Sequence, residues 1–166
     1  MGRFPWALNP MTKRTKTMNI NEKSKHLIDQ WLKYLSTRNV EGIVELYYTD
    51  GILVPTLGQS ICQGEEEIKQ YFENFIGDHP NLCGNVTLEL CQEIRDHGIS
   101  VSGKYTFTWG EEKKEKLDAR FTYVFTRDVC EEKWKILTHH SSAIPDKPET
   151  KSIWNLLRLF PTKEKT

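Results

Sequence analysis

The 166-residue chain is short of the features that mark most functional classes. Its formal net charge is +0, from 23 basic and 23 acidic residues, so no bulk positive field draws nucleic acid or an anionic membrane surface. No apolar run approaches the ~20 residues of a membrane-spanning helix. The 4 cysteines, at 62, 83, 91 and 130, form no CxxC, and their spacing matches neither a zinc knuckle nor a redox pair. They read as small buried hydrophobes in a reducing compartment, which places the protein in the cytoplasm. Neither HxH nor HExxH occurs, and His26, His79 and His97 sit in unrelated places. No metal and no cofactor is therefore expected. There is no GxSxG elbow, which argues against a hydrolase triad at Ser141 or Ser142. Internal repeats and low-complexity tracts are also missing.

Aromatic residues are plentiful, with 5 Trp, 6 Tyr and 7 Phe, enough for a packed core. One domain is expected over residues 20–146. Residues 1–19 read as a disordered tail or a weak organelle-targeting segment, with Lys13, Arg14 and Lys16 basic and Pro5 and Pro10 interrupting the apolar part. Residues 147–166 read as a linker and a short amphipathic helix around Trp154, Leu157 and Phe160.

Within the domain the periodicity changes once. Leu27, Ile28, Trp31, Leu32 and Leu35 recur at helical spacing and predict a helix over 20–37. A short second helix is predicted over 39–48. ILVPTL (52–57) reads as a strand, edge or bulged because of Pro55. A third helix is predicted over 64–77, where Ile68, Tyr71, Phe72, Phe75 and Ile76 form the apolar face. From Val86 onward apolar residues alternate, predicting long antiparallel strands through Phe107, Phe125 and Ile136. Helices first and a sheet after is an α+β order.

The last strand, WKILTHHSSAIP (134–145), carries the densest polar cluster. His139 and His140 are adjacent in a strand, so they point to opposite faces and cannot readily share an ion. If Ile136 faces the helices, strict alternation sends Thr138, His140 and Ser142 into a pocket and turns His139 and Ser141 away. Hydroxyls of Thr56, Tyr71, Tyr105 and Ser142 could converge on the same ligand. An inward Arg120 would pair with a carboxylate-like anion, because its fork matches two oxygens. A salt bridge from Arg120 to Asp118 or a glutamate is the structural alternative.

Five segments taken in order, DGILVPTL (50–57), EEIKQYFENF (66–75), GKYTF (103–107), ARFTYVF (119–125) and WKILTHHSSAIP, resemble one group of the nuclear transport factor 2-like superfamily. It is the group related to the association domain of calcium/calmodulin-dependent protein kinase II. The resemblance covers about residues 25–146 and implies a cone: a curved antiparallel sheet wrapped around helices, with a pocket between. Within the group the chain is most similar to iota-class carbonic anhydrases, which implies a metal-independent lyase interconverting carbon dioxide and bicarbonate. Carried over by motif, Thr56, Tyr71 and Ser142 become the catalytic residues, with Tyr105, Arg120, His140 and Ser141 in the ligand site. The pattern departs at Thr138, where the family often has a third histidine, and over Leu57–Gln63. The same resemblance implies two alternatives, a non-catalytic assembly or ligand-binding module and a SnoaL-like isomerase or cyclase. The expected partners are a small anion and a second copy of the chain, with neither nucleic acid nor membrane.

Overall fold

The computed structural model describes residues 19–95, 98–128 and 130–145. The expected tail (all but Asn19), His97, the linker and the C-terminal helix lie outside the described residues.

Helix α1 (Ile20–Ser36) starts at a capping box. The Glu22 amide donates to Asn19 Oδ1 at 2.9 Å, and the Asn19 amide donates to the Glu22 carboxylate at 3.3 Å. Its apolar stripe is buried as the spacing predicts, down to Trp31 and Leu35. Helix α2 (Val40–Glu45) is shorter than expected, because the chain turns at Leu46 and starts a strand at Tyr47. That strand, β1 (Tyr47–Val54), therefore begins earlier than the predicted 52–57, and Pro55 and Thr56 lie just beyond its end. A two-residue strand, β2 (Cys62–Gln63), leads into α3 (Gly64–Asp78). Gly64 sits at φ +83° at this junction, a conformation that side chains disfavour. Glu65, Glu66 and Glu67 then complement the positive end of α3.

Four long strands follow: β3 (Cys83–Ile94), β4 (Gly98–Trp109), β5 (Glu115–Arg127) and β6 (Trp134–Ala143). The single six-stranded sheet has the order β2-β1-β6-β5-β4-β3. β3 to β6 pair antiparallel, as expected, but β1 runs parallel to β6. β1 is also not the edge strand that Pro55 suggested, since β2 covers its far side and Pro55 falls outside the ladder.

The helices cover one face of the sheet. Trp31 packs edge-on against Phe72 and Tyr123 and lies parallel to Tyr105. Val101, Phe107, Ala119, Phe121 and Phe125 complete the buried layer. Fully burying a side chain of this size contributes ~1.5–3 kcal/mol, so the layer holds the helices on the sheet. A bulge between Val86 and Leu88 bends β3. Opposite it, a Cβ on Gly103 would lie 2.1 Å from the Leu88 carbonyl oxygen and 2.6 Å from the Phe121 ring. Glycine there lets the ring cross the strand.

Candidate functional site

The decisive local feature is a second bulge. β5 pairs Val124 with Thr138 but Phe125 with Ile136, so Leu137 is an extra residue in β6. One extra residue reverses the parity of everything after it. Ile136 still faces the helices, but so do His139 and Ser141, which are 2% and 4% exposed. His140 is exposed, and Ser142 pairs across to Arg120, also exposed. The expectation that Thr138, His140 and Ser142 line the pocket is thus reversed. Arg120 stands outside too, in a row with Lys104 and Ser142. The alternative, a salt bridge from Arg120 to Asp118, is not made either, because Asp118 takes Lys116 at 3.0 Å and the Thr106 hydroxyl at 2.6 Å. Those partners hold the Asp118 carboxyl below its usual range.

The parallel pairing of β1 with β6 brings Leu53 beside His139 and carries the chain on to Thr56. Thr56 is hydrogen-bonded to Ser141, and Tyr105 donates to the same serine. Tyr71, half-buried on α3, lines the same cavity with Trp31, Leu53, Phe72, Phe107 and His139. Four expected site residues, Thr56, Tyr71, Tyr105 and Ser141, are therefore brought together. Ser142, His140 and Arg120 are not.

The free space is ≈ 10 Å³, the room of about one water molecule. A larger open groove of ≈ 660 Å³ lies elsewhere, against α1, α2 and the β5–β6 turn. Its lining mixes Glu45, Glu65, Glu131 and Glu132 with Lys133, Lys135 and His26 and includes none of the residues that the motifs point to, so the small cavity is the candidate site.

The cavity holds no ionised group at neutral pH. Burial pushes the phenols of Tyr71 and Tyr105 up, and pushes His139 down to about 3. Its chemistry is that of neutral donors. Thr56, Ser141 and Tyr105 have three hydroxyl protons and two mutual hydrogen bonds, so one proton is left for a guest. Tyr71 oxygen has the Leu57 backbone N–H beside it, which leaves its own O–H free to donate. Among the described residues no three His, Cys, Asp or Glu side chains come together as a metal site.

Sequence reasoning missed His139, Tyr47, Trp31 and Tyr123 as neighbours of the site. His139 Nδ1 is 2.8 Å from the Tyr47 hydroxyl. Its ring stacks on Tyr123 at 3.9 Å and meets the edge of Trp31 at 5.3 Å. The available signals were Trp31 in mid-stripe and Tyr47 among apolar residues, both of which read as plain core.

A curved sheet wrapped on helices, with a polar cluster inside, defines the nuclear transport factor 2-like class. The chain belongs to the calcium/calmodulin dependent protein kinase II association domain family, which it matches over residues 20–145. A Xanthomonas campestris structure named for that association domain is 30% identical, with TM-score 0.72, covering 80% of this chain and 93% of that one. A nuclear transport factor 2-like protein of unknown function from Pseudomonas putida is 17% identical, TM-score 0.65, covering 75% and 86%. A ketosteroid isomerase-like protein from Erwinia carotovora is 10% identical, TM-score 0.62, covering 74% and 94%. These last two show the fold alone. No curated protein matches the sequence. No helix among the described residues is long and apolar enough to cross a membrane.

Proposed function

We propose that the inner cavity binds bicarbonate or a carboxylate of similar size, and that the chain interconverts carbon dioxide and bicarbonate in the manner of iota-class carbonic anhydrases. The observation that carries this reading is the convergence of Thr56, Ser141, Tyr105 and Tyr71 on one apolar-walled cavity; its ≈ 10 Å³ holds about one water, so bicarbonate enters only as the side chains around it move apart. Hydroxyl donors suit the oxygens of such a ligand, and the apolar wall suits carbon dioxide. In the hydration direction, water held by the Ser141 and Thr56 hydroxyls attacks the carbon. A C–O bond forms as one C=O π bond breaks, the donors take up the charge developing on oxygen, and the water proton passes through the hydroxyl pair to solvent water or buffer at half-exposed Thr56, leaving bicarbonate. A zinc enzyme lowers the pKa of bound water to about 7. This cavity has no comparable base, so the expected rate is lower. Stopped-flow hydration by chelator-treated protein tests the proposal. A rate above buffer that is lost in Ser141→Ala supports it, and no rate above buffer ends it.

The small cavity favours this reading over an isomerase or cyclase of a larger hydrophobic substrate. A second reading, a self-associating module, is favoured by the family and by Leu88, Leu90 and Ile94. These are 44%, 60% and 46% exposed on the sheet face away from the helices. It anticipates a dimer or larger ring by sedimentation, and a concentration-independent monomer would count against it. Cys62, Cys83, Cys91 and Cys130 are all free thiols, which fits the proposed cytoplasmic location, but none is the buried hydrophobe expected: Cys62 and Cys91 are half-buried and Cys83 and Cys130 exposed.

A further inference from the structure

We propose that His139 is a neutral hydrogen-bond donor to the ligand of the inner cavity, presenting Nε2–H while Nδ1 accepts from Tyr47. This rests on the bicarbonate reading and adds a donor that the hydroxyl cluster does not include.

Three observations lead to it. First, the two ring nitrogens are unequal: Nδ1 faces the Tyr47 hydroxyl at 2.8 Å, whereas buried Nε2 has no partner. His139 lines the cavity, so a guest there can supply the missing partner.

Second, the proton position follows from Tyr47. A neutral imidazole carries one N–H. Were it on Nδ1, it would donate to the Tyr47 oxygen, and the buried phenol proton would need another acceptor. The other polar group beside that oxygen is the Trp31 indole N–H, itself only a donor and otherwise unpartnered. An orphaned phenol proton costs ~1–3 kcal/mol when buried. With Tyr47 donating to Nδ1 the phenol proton is satisfied, and the one group of the pair left without a partner is Nε2–H, on the residue that lines the cavity.

Third, the ring is fixed. It lies against the Tyr123 face at an interplanar angle of 17° and against the Trp31 edge at 85°. Packing against both rings, with Nδ1 on the Tyr47 hydroxyl, opposes a flip that would exchange the nitrogens. A guest oxygen would then meet His139 Nε2–H, the spare proton of the hydroxyl chain and Tyr71 O–H. Such a set selects oxygen acceptors over ammonium-type molecules.

The test uses full-length protein with ¹⁵N-labelled histidine, read by long-range ¹H–¹⁵N spectra. The expected free state has His139 protonated at Nε2 and accepting at Nδ1. Bicarbonate, and formate as a second probe, should move the His139 Hε2 signal together with signals of Ser141 and Thr56; methylammonium should not. Tyr47→Phe keeps the packing but frees Nδ1. It should disturb the tautomer and weaken bicarbonate binding by about tenfold, one hydrogen bond's worth. A free protein protonated at Nδ1 overturns the proposal. So does bicarbonate that moves Ser141 and Thr56 but leaves His139 still, an outcome that spares the bicarbonate reading. Bicarbonate that moves none of the three removes both.

Discussion

The two faces of β6 carry almost the same residues and share almost no chemistry. His139 and Ser141 face the helices, while His140 and Ser142 face out beside Arg120. One face is a buried network of neutral donors, with an imidazole that stays uncharged. The other is a solvated patch beside the exposed Arg120. The residue types do not separate the two faces. A single unpaired residue, Leu137, decides which histidine and which serine the cavity receives.

The largest expected effect comes from placing a charge on each face in turn. His139→Glu would bury an unpaired carboxylate and should cost roughly 3–5 kcal/mol. His140→Glu should stay within about 0.5 kcal/mol. Urea denaturation of the pair checks the assignment, and equal losses would break the comparison.

Acid sharpens it next. The folded protein holds His139 at about 3, below its usual 6.5, so between these values the unfolded chain binds the extra proton. Stability from this group is complete above pH 6.5 and falls through the window toward pH 3. The slope is up to about 1.4 kcal/mol per pH unit. Subtracting the profile of His139→Phe from wild type should isolate it.

The serines give a smaller contrast. Ser141→Ala strands Thr56 and Tyr105 and should cost about 1–3 kcal/mol along with bicarbonate binding. Ser142→Ala should cost less than about 0.5 kcal/mol and leave binding intact. Calorimetric titration with bicarbonate, beside thermal melts, distinguishes them. Smallest of all, Arg120→Ala should change both stability and binding by no more than measurement error, because its guanidinium lies across the sheet from the cavity.

Much of this was legible in the chain. The stripe from Leu27 to Leu35 predicts the buried face of α1, and the α+β order follows from a single change of period. In β5 the alternation of Leu117, Ala119, Phe121 and Tyr123 already argues for an outward Arg120, so an inward anion clamp conflicts with the strand's own pattern. The side of β6 was not legible. A bulge is an agreement between two strands about register, and alternation within one strand cannot report it. Tyr47 was hidden for a related reason. Its neighbours suit a helix, but pairing with β6 extends it, a tertiary choice overriding local preference.

The pairing of β1 with β6 also has a kinetic side. β3 to β6 are successive hairpins, each closing a short loop. Thr56 meets Ser141 across 85 residues, and Tyr47 meets His139 across 92. Long loops are the slow ones to close. A refolding chain is therefore expected to have most of its sheet before it has a cavity. Pulsed hydrogen exchange should show amides of β4 and β5 protected earlier than those of β1, and the reverse order would refute this. Ligand binding would then report on the final step of folding, and a bound anion would stabilise the one strand pair that the local hairpins cannot secure.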